Sequence, residues 1–446
     1  MTQALVAIGA LATIALIFSS REYRSGWGPA LRRIPLLVYP AAAGVWPIIA
    51  TIFGYYLKDA NRPLRTEQLF AFQFAPLLLV SVIVAVIAMV RGFQFVLLPT
   101  FALVAILLAE AVGALVLGQS WGHVLAATAA LAPALFVRRE GGQLDILKRG
   151  VTLALALLVL VLAVFVFVKP ELALRPCAQS FKCLLSDRAL TVDFGAGSNV
   201  TGVTLALIAP AVVYTIKGWR AWILPLPVLM IVMLSGSRTA MVAVVLGSVL
   251  SLFLRIDWFG RRPWVLAAPV LLVSLIPAFV AFPHAAFTNR GNLWGLARGL
   301  IEQSPLFGQG ASFWIRNSGP INNGLTSYSP HNLWLGLAVD IGIVGVIAVI
   351  AATVAGYITS SKAGRGYAWP FIFAMLSAGI LEATVLYQRL SPFPVGLLMA
   401  LTALAIGYAD RKLPAEPDVS TNGPTERTTP APIDGPTAEE LLRPRN

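Results

Sequence analysis

The chain has 446 residues, of which 58% are apolar and 12% charged, with a mean hydropathy of +0.79. A water-soluble domain sits nearer half apolar and a quarter charged, so the composition excludes an ordinary soluble protein and points to an all-α polytopic membrane protein. The formal charge of +13 is not a nucleic-acid footprint, because the basic residues fall in small clusters between apolar runs, which is the positive-inside pattern.

A span needs about 20 apolar residues to cross about 30 Å of hydrocarbon. It must be helical, since lipid cannot satisfy free backbone polar groups. Candidate spans lie near 4–18, 35–56, 69–90, 93–117, 121–137, 150–168, 200–216, 219–235, 239–254, 263–282, 332–358, 367–388 and 392–409, about 12–13 helices. The first has no basic residue ahead of it, and Arg21 and Arg24 follow it. That is the reverse of a cleavable signal peptide, so it reads as a retained span with its N-terminus outside. Basic residues then mark one face: Arg32 and Arg33; Arg138, Arg139, Lys148 and Arg149; Lys217 and Arg220; Arg255, Arg261 and Arg262; Lys362 and Arg365. Alternation of the spans puts all of these on the cytoplasmic side. The segment 411–446 is then a cytoplasmic tail, and its Pro, Thr, Glu and Asp content predicts disorder.

The expected organisation is N-terminal spans and a first outer loop over 1–199, a second membrane region over 200–410 with an outer loop at 283–330, and the tail. Cys177 and Cys183, in CAQSFKC, fall in the first outer loop. Outside the membrane they are expected as a local disulfide, with two free thiols as the alternative. Two cysteines and three histidines offer too few soft ligands for a metal centre, and no cofactor is expected.

Within LSGSRTAM, Arg238 is the only charge between Arg220 and Arg255. The apolar passage is long enough for two spans, so SGSR reads as the tip of a helical hairpin that carries Arg238 to the outer surface. An arginine there is either a snorkelling anchor or a functional cation. The second outer loop begins PHAAFTNRGNLWGLARGLIEQSPLFGQG. Leu293, Leu296, Leu300 and Ile301 recur at helical spacing, which predicts an amphipathic helix at the outer interface over 291–303. Asn289 suits its N-cap. Arg290 stands at its start, and Arg298, two turns on, has Glu302 as an available partner. Pro305, Gly308 and Gly310 break the helix. His331 follows in YSPHNLWLGLAVDIGIVG, immediately before a span. His123, His284 and His331 all fall on the outer side. Arg238, Arg290 and His331 thus come from separate segments to one face, where guanidiniums bind oxyanions bidentately and an imidazole accepts a hydroxyl proton.

SGSRTA at a hairpin tip, then NRxxLW…PLFGxG, then HNLWLxxxxxxGxxG at a span start resemble the O-antigen ligase and O-antigen polymerase superfamily of bacterial envelope enzymes. The matched motifs cover roughly 234–345. The resemblance implies a metal-independent glycosyltransferase of GT-C type in the bacterial inner membrane. Such an enzyme moves a glycan from an undecaprenyl diphosphate carrier to a glycan, lipid or protein acceptor hydroxyl at the outer face. It further implies that Arg238 and Arg290 bind the diphosphate, that His331 serves the acceptor hydroxyl, and that Arg298 and Asn332 are further substrate contacts. Direct displacement would invert the anomeric centre. The alternative is a transporter or flippase of lipid-linked oligosaccharide. Glu110, Asp340 and Glu382 are its candidate intramembrane acids, and interhelical hydrogen bonding is their simpler role.

Overall fold

The computed structural model describes residues 1–20, 30, 33–56, 66–94, 104, 107–108, 111–112, 115, 121–138, 140–177, 184–190, 199–310, 313–316, 320–321, 325–326, 329–384 and 395–412. The principal helices are α1 (Thr2–Phe18), α2 (Ile34–Gly44), α3 (Trp46–Tyr56), α4 (Thr66–Arg91), α5 (Trp121–Leu135), α6 (Gln143–Val168), α7 (Asn199–Thr215) and α8 (Arg220–Leu234). They continue with α9 (Arg238–Phe253), α10 (Trp264–Phe279), α11 (Ala286–Gln303), α12 (Leu333–Thr359), α13 (Lys362–Gly379) and α14 (Val395–Lys412). Among the described residues the architecture is mostly helical, with three minimal antiparallel strand pairs: Phe93–Gln94 with Val137–Arg138, Leu174–Pro176 with Arg188–Leu190, and Pro320–Ile321 with Leu325–Thr326. A helix covers each expected span except 93–117, most of which lies outside the described residues, as do Glu110 and the tail.

The chain is an integral membrane protein. Phe72–Arg91, α6 and α12 are each long and apolar enough to cross a bilayer, and α2 with α3 form a fourth candidate bent by 51°. Pro47 at the second position of α3 accounts for that bend, since its ring cannot continue the helix above it. α1, α8, α9 and α10 are shorter apolar helices. A 16-residue helix such as α9 still rises about 24 Å, which a thinned bilayer accommodates at modest cost.

Residues Met1–Arg411 form a single compact unit. α7 packs against α9, α13 and α6, and α9 packs against α13. Small residues permit the closeness: Gly247 on α9 faces Pro210 on α7 and the backbone of Ala374 on α13. That is how helices associate where lipid offers no hydrophobic drive.

Two ends of the bundle can be distinguished. At one end Arg255, just past α9, donates to the carbonyls of Val213, Tyr214 and Ile216 at the end of α7, and Gly366 near the start of α13 abuts the Tyr214 hydroxyl. Asp145, Lys148 and Arg149 on the first turns of α6 line one cleft with Tyr214, Lys217 and Arg255. Arg33 pairs with Glu140 just ahead of α6 at 2.7 Å. This is the basic end. At the other end lie the start of α7, the α8–α9 hairpin tip, the start of α12 and the segment after α13. α1 runs between them: Gln3 donates to Val166 at the end of α6, and Arg220 donates to Ser19.

Candidate functional site

The hairpin tip is built by three small residues. Gly236 takes φ 69°, which glycine adopts without strain. Ser237 caps α9 by accepting from the Ala240 amide at 3.4 Å. The tip seats on α7 at Gly202, where an added Cβ would stand 2.7 Å from Ser235 Oγ. Arg238 is therefore the first residue of α9 and is exposed. A cation at a helix N-terminus opposes the macrodipole by about 0.3–1 kcal/mol. The same position, with the free amides of the first turn, suits a bound anion.

The outer-loop helix differs from its expected form. Its face of Trp294, Ala297 and Leu300 is buried against Leu335 and Val339 of α12 and against Trp314. It packs on protein, where the leucine spacing suggested lipid. Phe287, Thr288 and Asn289 all have φ near +50° to +70°, so regular helix begins only at Arg290. Asn289 is left-handed and does not occupy the extended conformation of an N-cap. The close turn is locked by Gly291, where any Cβ would strike the Pro283 carbonyl, and by the Asn292 amide bonding to His284 at 3.2 Å.

The PLFGQG stretch has a specific task. α12 is broken at Gly342 (φ 65°, ψ −175°), which leaves backbone groups unpaired inside the bundle. The loop supplies their partners: Ile343 and Val344 donate to the carbonyls of Pro305 and Leu306 at 2.9 and 3.2 Å, and Gln309 donates to Val339 at 2.6 Å. Broken helices are tolerated at membrane depth only when protein re-satisfies the freed groups. Gly308 and Gly342 lie backbone to backbone, and neither has room for a Cβ.

Glu382 draws the site together. The span expected over 367–388 ends as helix at Gly379, and Glu382 lies past that end, buried to 2% exposure. One carboxylate oxygen pairs with Arg290 Nη2 at 2.7 Å and the other with His331 Nδ1 at 2.7 Å. Burial opposes its charge, but His331 and then Arg290 hold its carboxyl below the usual carboxylate value. A carboxylate on Nδ1 fixes the tautomer that donates there and leaves Nε2 as the proton acceptor. His331 itself sits at φ 51°, a conformation costing about 1–3 kcal/mol that needs support from its surroundings.

The other sequence candidates have structural partners. Asn332 is fully buried and caps α12 through the amides of Trp334 and Leu335, while its Nδ2 donates to Ser274, Gly379 and Ile380. It latches α10, α12 and α13 just behind His331. Arg298 donates to the carbonyls of Pro277 and Val280 at the end of α10, in place of the expected Glu302. Those carbonyls have no helical acceptor role left to fill, and a cation there complements the dipole. Cys177, just past the strand Leu174–Pro176, is held in a disulfide, and Cys183 lies outside the described residues. His284 is exposed, and the side chain of His123 lies outside the described residues.

The structure thus brings Arg290 and His331 onto one carboxylate and sets Arg238 at the same end of the bundle. It places Arg298 and Asn332 in the scaffold. Glu382 was named from the sequence only as an intramembrane acid of the transporter alternative, not as a partner of His331. Its only signal was an acid at a span's outer end, and nothing in its neighbourhood tied it to a histidine 51 positions away.

Residues 223–350 match the family described as O-antigen ligase. The match covers less than half of the chain. It includes Arg238, Arg290, Arg298, His331 and Asn332, and excludes Glu382. Members of that family are ligase- or polymerase-type enzymes. No curated protein matches the chain.

Proposed function

We propose that this membrane protein, with its O-antigen ligase-type region, transfers a glycan from an undecaprenyl diphosphate carrier to an acceptor hydroxyl at the extracytoplasmic face. The observation that carries the reading is the His331 imidazole, held by Glu382 with Nε2 turned to proton acceptance, at the same end of the bundle as the exposed Arg238. The basic end is then cytoplasmic by the positive-inside rule.

In the proposed reaction His331 Nε2 takes the proton of the acceptor hydroxyl. The oxygen so freed attacks the anomeric carbon from the face opposite the diphosphate. The glycosidic C–O bond breaks, its electron pair stays on the diphosphate oxygen, and the anomeric configuration inverts. Arg238 and the α9 amides stabilise the charge that develops there. Arg290 divides its role. One edge of its guanidinium neutralises Glu382, so it orients the base, and its Nε is buried without a partner. That leaves Arg238 as the principal diphosphate ligand.

Reconstitution of the full-length protein with a lipid-linked oligosaccharide, followed by gel analysis, tests the reading. A ladder identifies a polymerase and a single transferred product a ligase. Unchanged donor recovered in the opposite leaflet identifies a flippase and overturns the proposal.

A further inference from the structure

The basic end holds a cleft that the glycan transfer does not use. It has a volume of about 450 Å³ and is lined by Asp145, Lys148, Arg149, Tyr214, Thr215, Lys217 and Arg255. Small-molecule sites commonly fall between about 300 and 1,000 Å³, so the space suits a phosphorylated head group. Four cations and the Asp145 carboxylate line it, and the Asp410 carboxylate on α14 lies within electrostatic reach of Lys148 and Asp145. Lys148 pairs with Asp145 at 2.8 Å and lies 6.0 Å over the Tyr367 ring. Arg255 is held in place by three carbonyls at the end of α7. The cations come from α6, the segment just past α9 and the loop after α7, so the positive charge is fixed by the packing of the bundle.

The position along the helices is also informative. Arg255 lies just past the end of α9 and Arg238 begins it, so the cleft stands about 24 Å from the hairpin tip at 1.5 Å per residue. That separation approaches the thickness of a hydrocarbon layer. The cleft therefore opens at the membrane surface opposite the histidine site, beside apolar helix ends. A basic pocket between spanning helices at a bilayer surface is what an anionic lipid head group recognises. Tyr214 and Thr215 add hydroxyls at the level where an interfacial aromatic sits.

We infer that this cleft binds the phosphate of an anionic phospholipid head group in the leaflet opposite the transfer site. Free phosphate shares the chemistry but lacks the acyl chains that the adjoining apolar helix ends would hold. The leaflet is cytoplasmic if the orientation proposed above holds. The lipid contact itself depends neither on that orientation nor on glycan transfer.

The test uses the full-length protein in vesicles of phosphatidylcholine containing a minor fraction of spin-labelled phosphatidylglycerol, with spin-labelled phosphatidylethanolamine as the zwitterionic control. The wild-type protein should retain the anionic label preferentially. Lys148→Gln with Lys217→Gln should weaken that preference by about tenfold or more, given the usual contribution of each basic residue at an anionic surface. Asp145→Asn removes the carboxylate that lines the cleft and should strengthen it. That variant of opposite sign decides the matter if the double variant fails to fold. Inorganic phosphate should not displace the label. Unchanged preference in the folded double variant, or weakened preference in Asp145→Asn, overturns the proposal. Complete displacement by inorganic phosphate overturns the lipid assignment.

Discussion

At the residue scale the account turns on how two cations and one acid divide the work. Arg238 is exposed at a helix N-terminus, where its charge opposes the helix dipole. If it grips a diphosphate with its planar fork, Arg238→Lys should lose about 10²–10³ in transfer rate while expression stays normal. A fully active lysine variant in the same turnover assay would make it a topological anchor. Arg298 is the contrasting case. Its guanidinium holds the end of α10, so Arg298→Ala should lower thermal stability by about 1.5–3 kcal/mol, the range for hydrogen bonds to charged groups. The protein that remains folded should keep its donor affinity, and selective loss of that affinity would return Arg298 to the substrate site. Acidification supplies another test. Glu382 has its carboxyl held low, so its ion pairs contribute fully above the unfolded value of about 4.3. Their contribution is lost as pH falls through the lower folded value. Glu382→Gln should remove that segment of the acid-stability curve, and an unchanged curve would show that the pair contributes nothing. Arg238, Arg290 and His331 were legible in the sequence because charged residues are rare in apolar chains and each stood in a short motif. Glu382 was legible only as an intramembrane acid, for which interhelical hydrogen bonding is the simpler role. Its role depends on α13 ending at Gly379.

At the element scale the helices follow from apolar run length, and their positions agree with the runs. The breaks do not follow from it. The amphipathic pattern of 291–303 gave the outer-loop helix but mistook its partner. Leucine spacing reports an apolar face, not whether lipid or protein covers it, and Trp294 was outside that count. PLFGQG read as a helix stop, yet it also closes the break in α12. That second role makes a prediction. Gly342→Ala would drive a Cβ into the Leu306 carbonyl at a positive φ, so the loop must leave the break. Lys and Arg are not involved, so the effect should appear as lost folding: a drop in thermal midpoint and faster proteolysis of the 304–310 segment. Gly295→Ala, on the same outer-loop helix with open space at its Cβ, should be neutral or slightly stabilising. Equal behaviour of the two variants would mean that the loop does not depend on the Gly342 break.

At the scale of the whole molecule, charge clusters in the sequence and helix contacts in the structure agree on two ends. Arg33, Lys148, Arg149, Lys217 and Arg255 gather at one and His331 and Arg238 at the other. With both native cysteines replaced by serine, Ala285→Cys should react with an impermeant maleimide added outside intact cells, and Ala363→Cys should react only after permeabilisation. The reverse pattern would place the histidine end in the cytoplasm. α6 and α7 pack together within one unit. The central claim is that this unit transfers glycan with His331 and Glu382 acting as one base. The most direct measurement is the rate of transfer from a lipid-linked oligosaccharide by reconstituted wild type, His331→Ala, Glu382→Gln and the double variant. His331→Ala should lose about 10²–10⁴. Glu382→Gln should lose part of that, and the double variant should be no slower than His331→Ala alone, as expected for groups that act as a unit. Losses that multiply, or transfer undiminished in His331→Ala, would contradict the account.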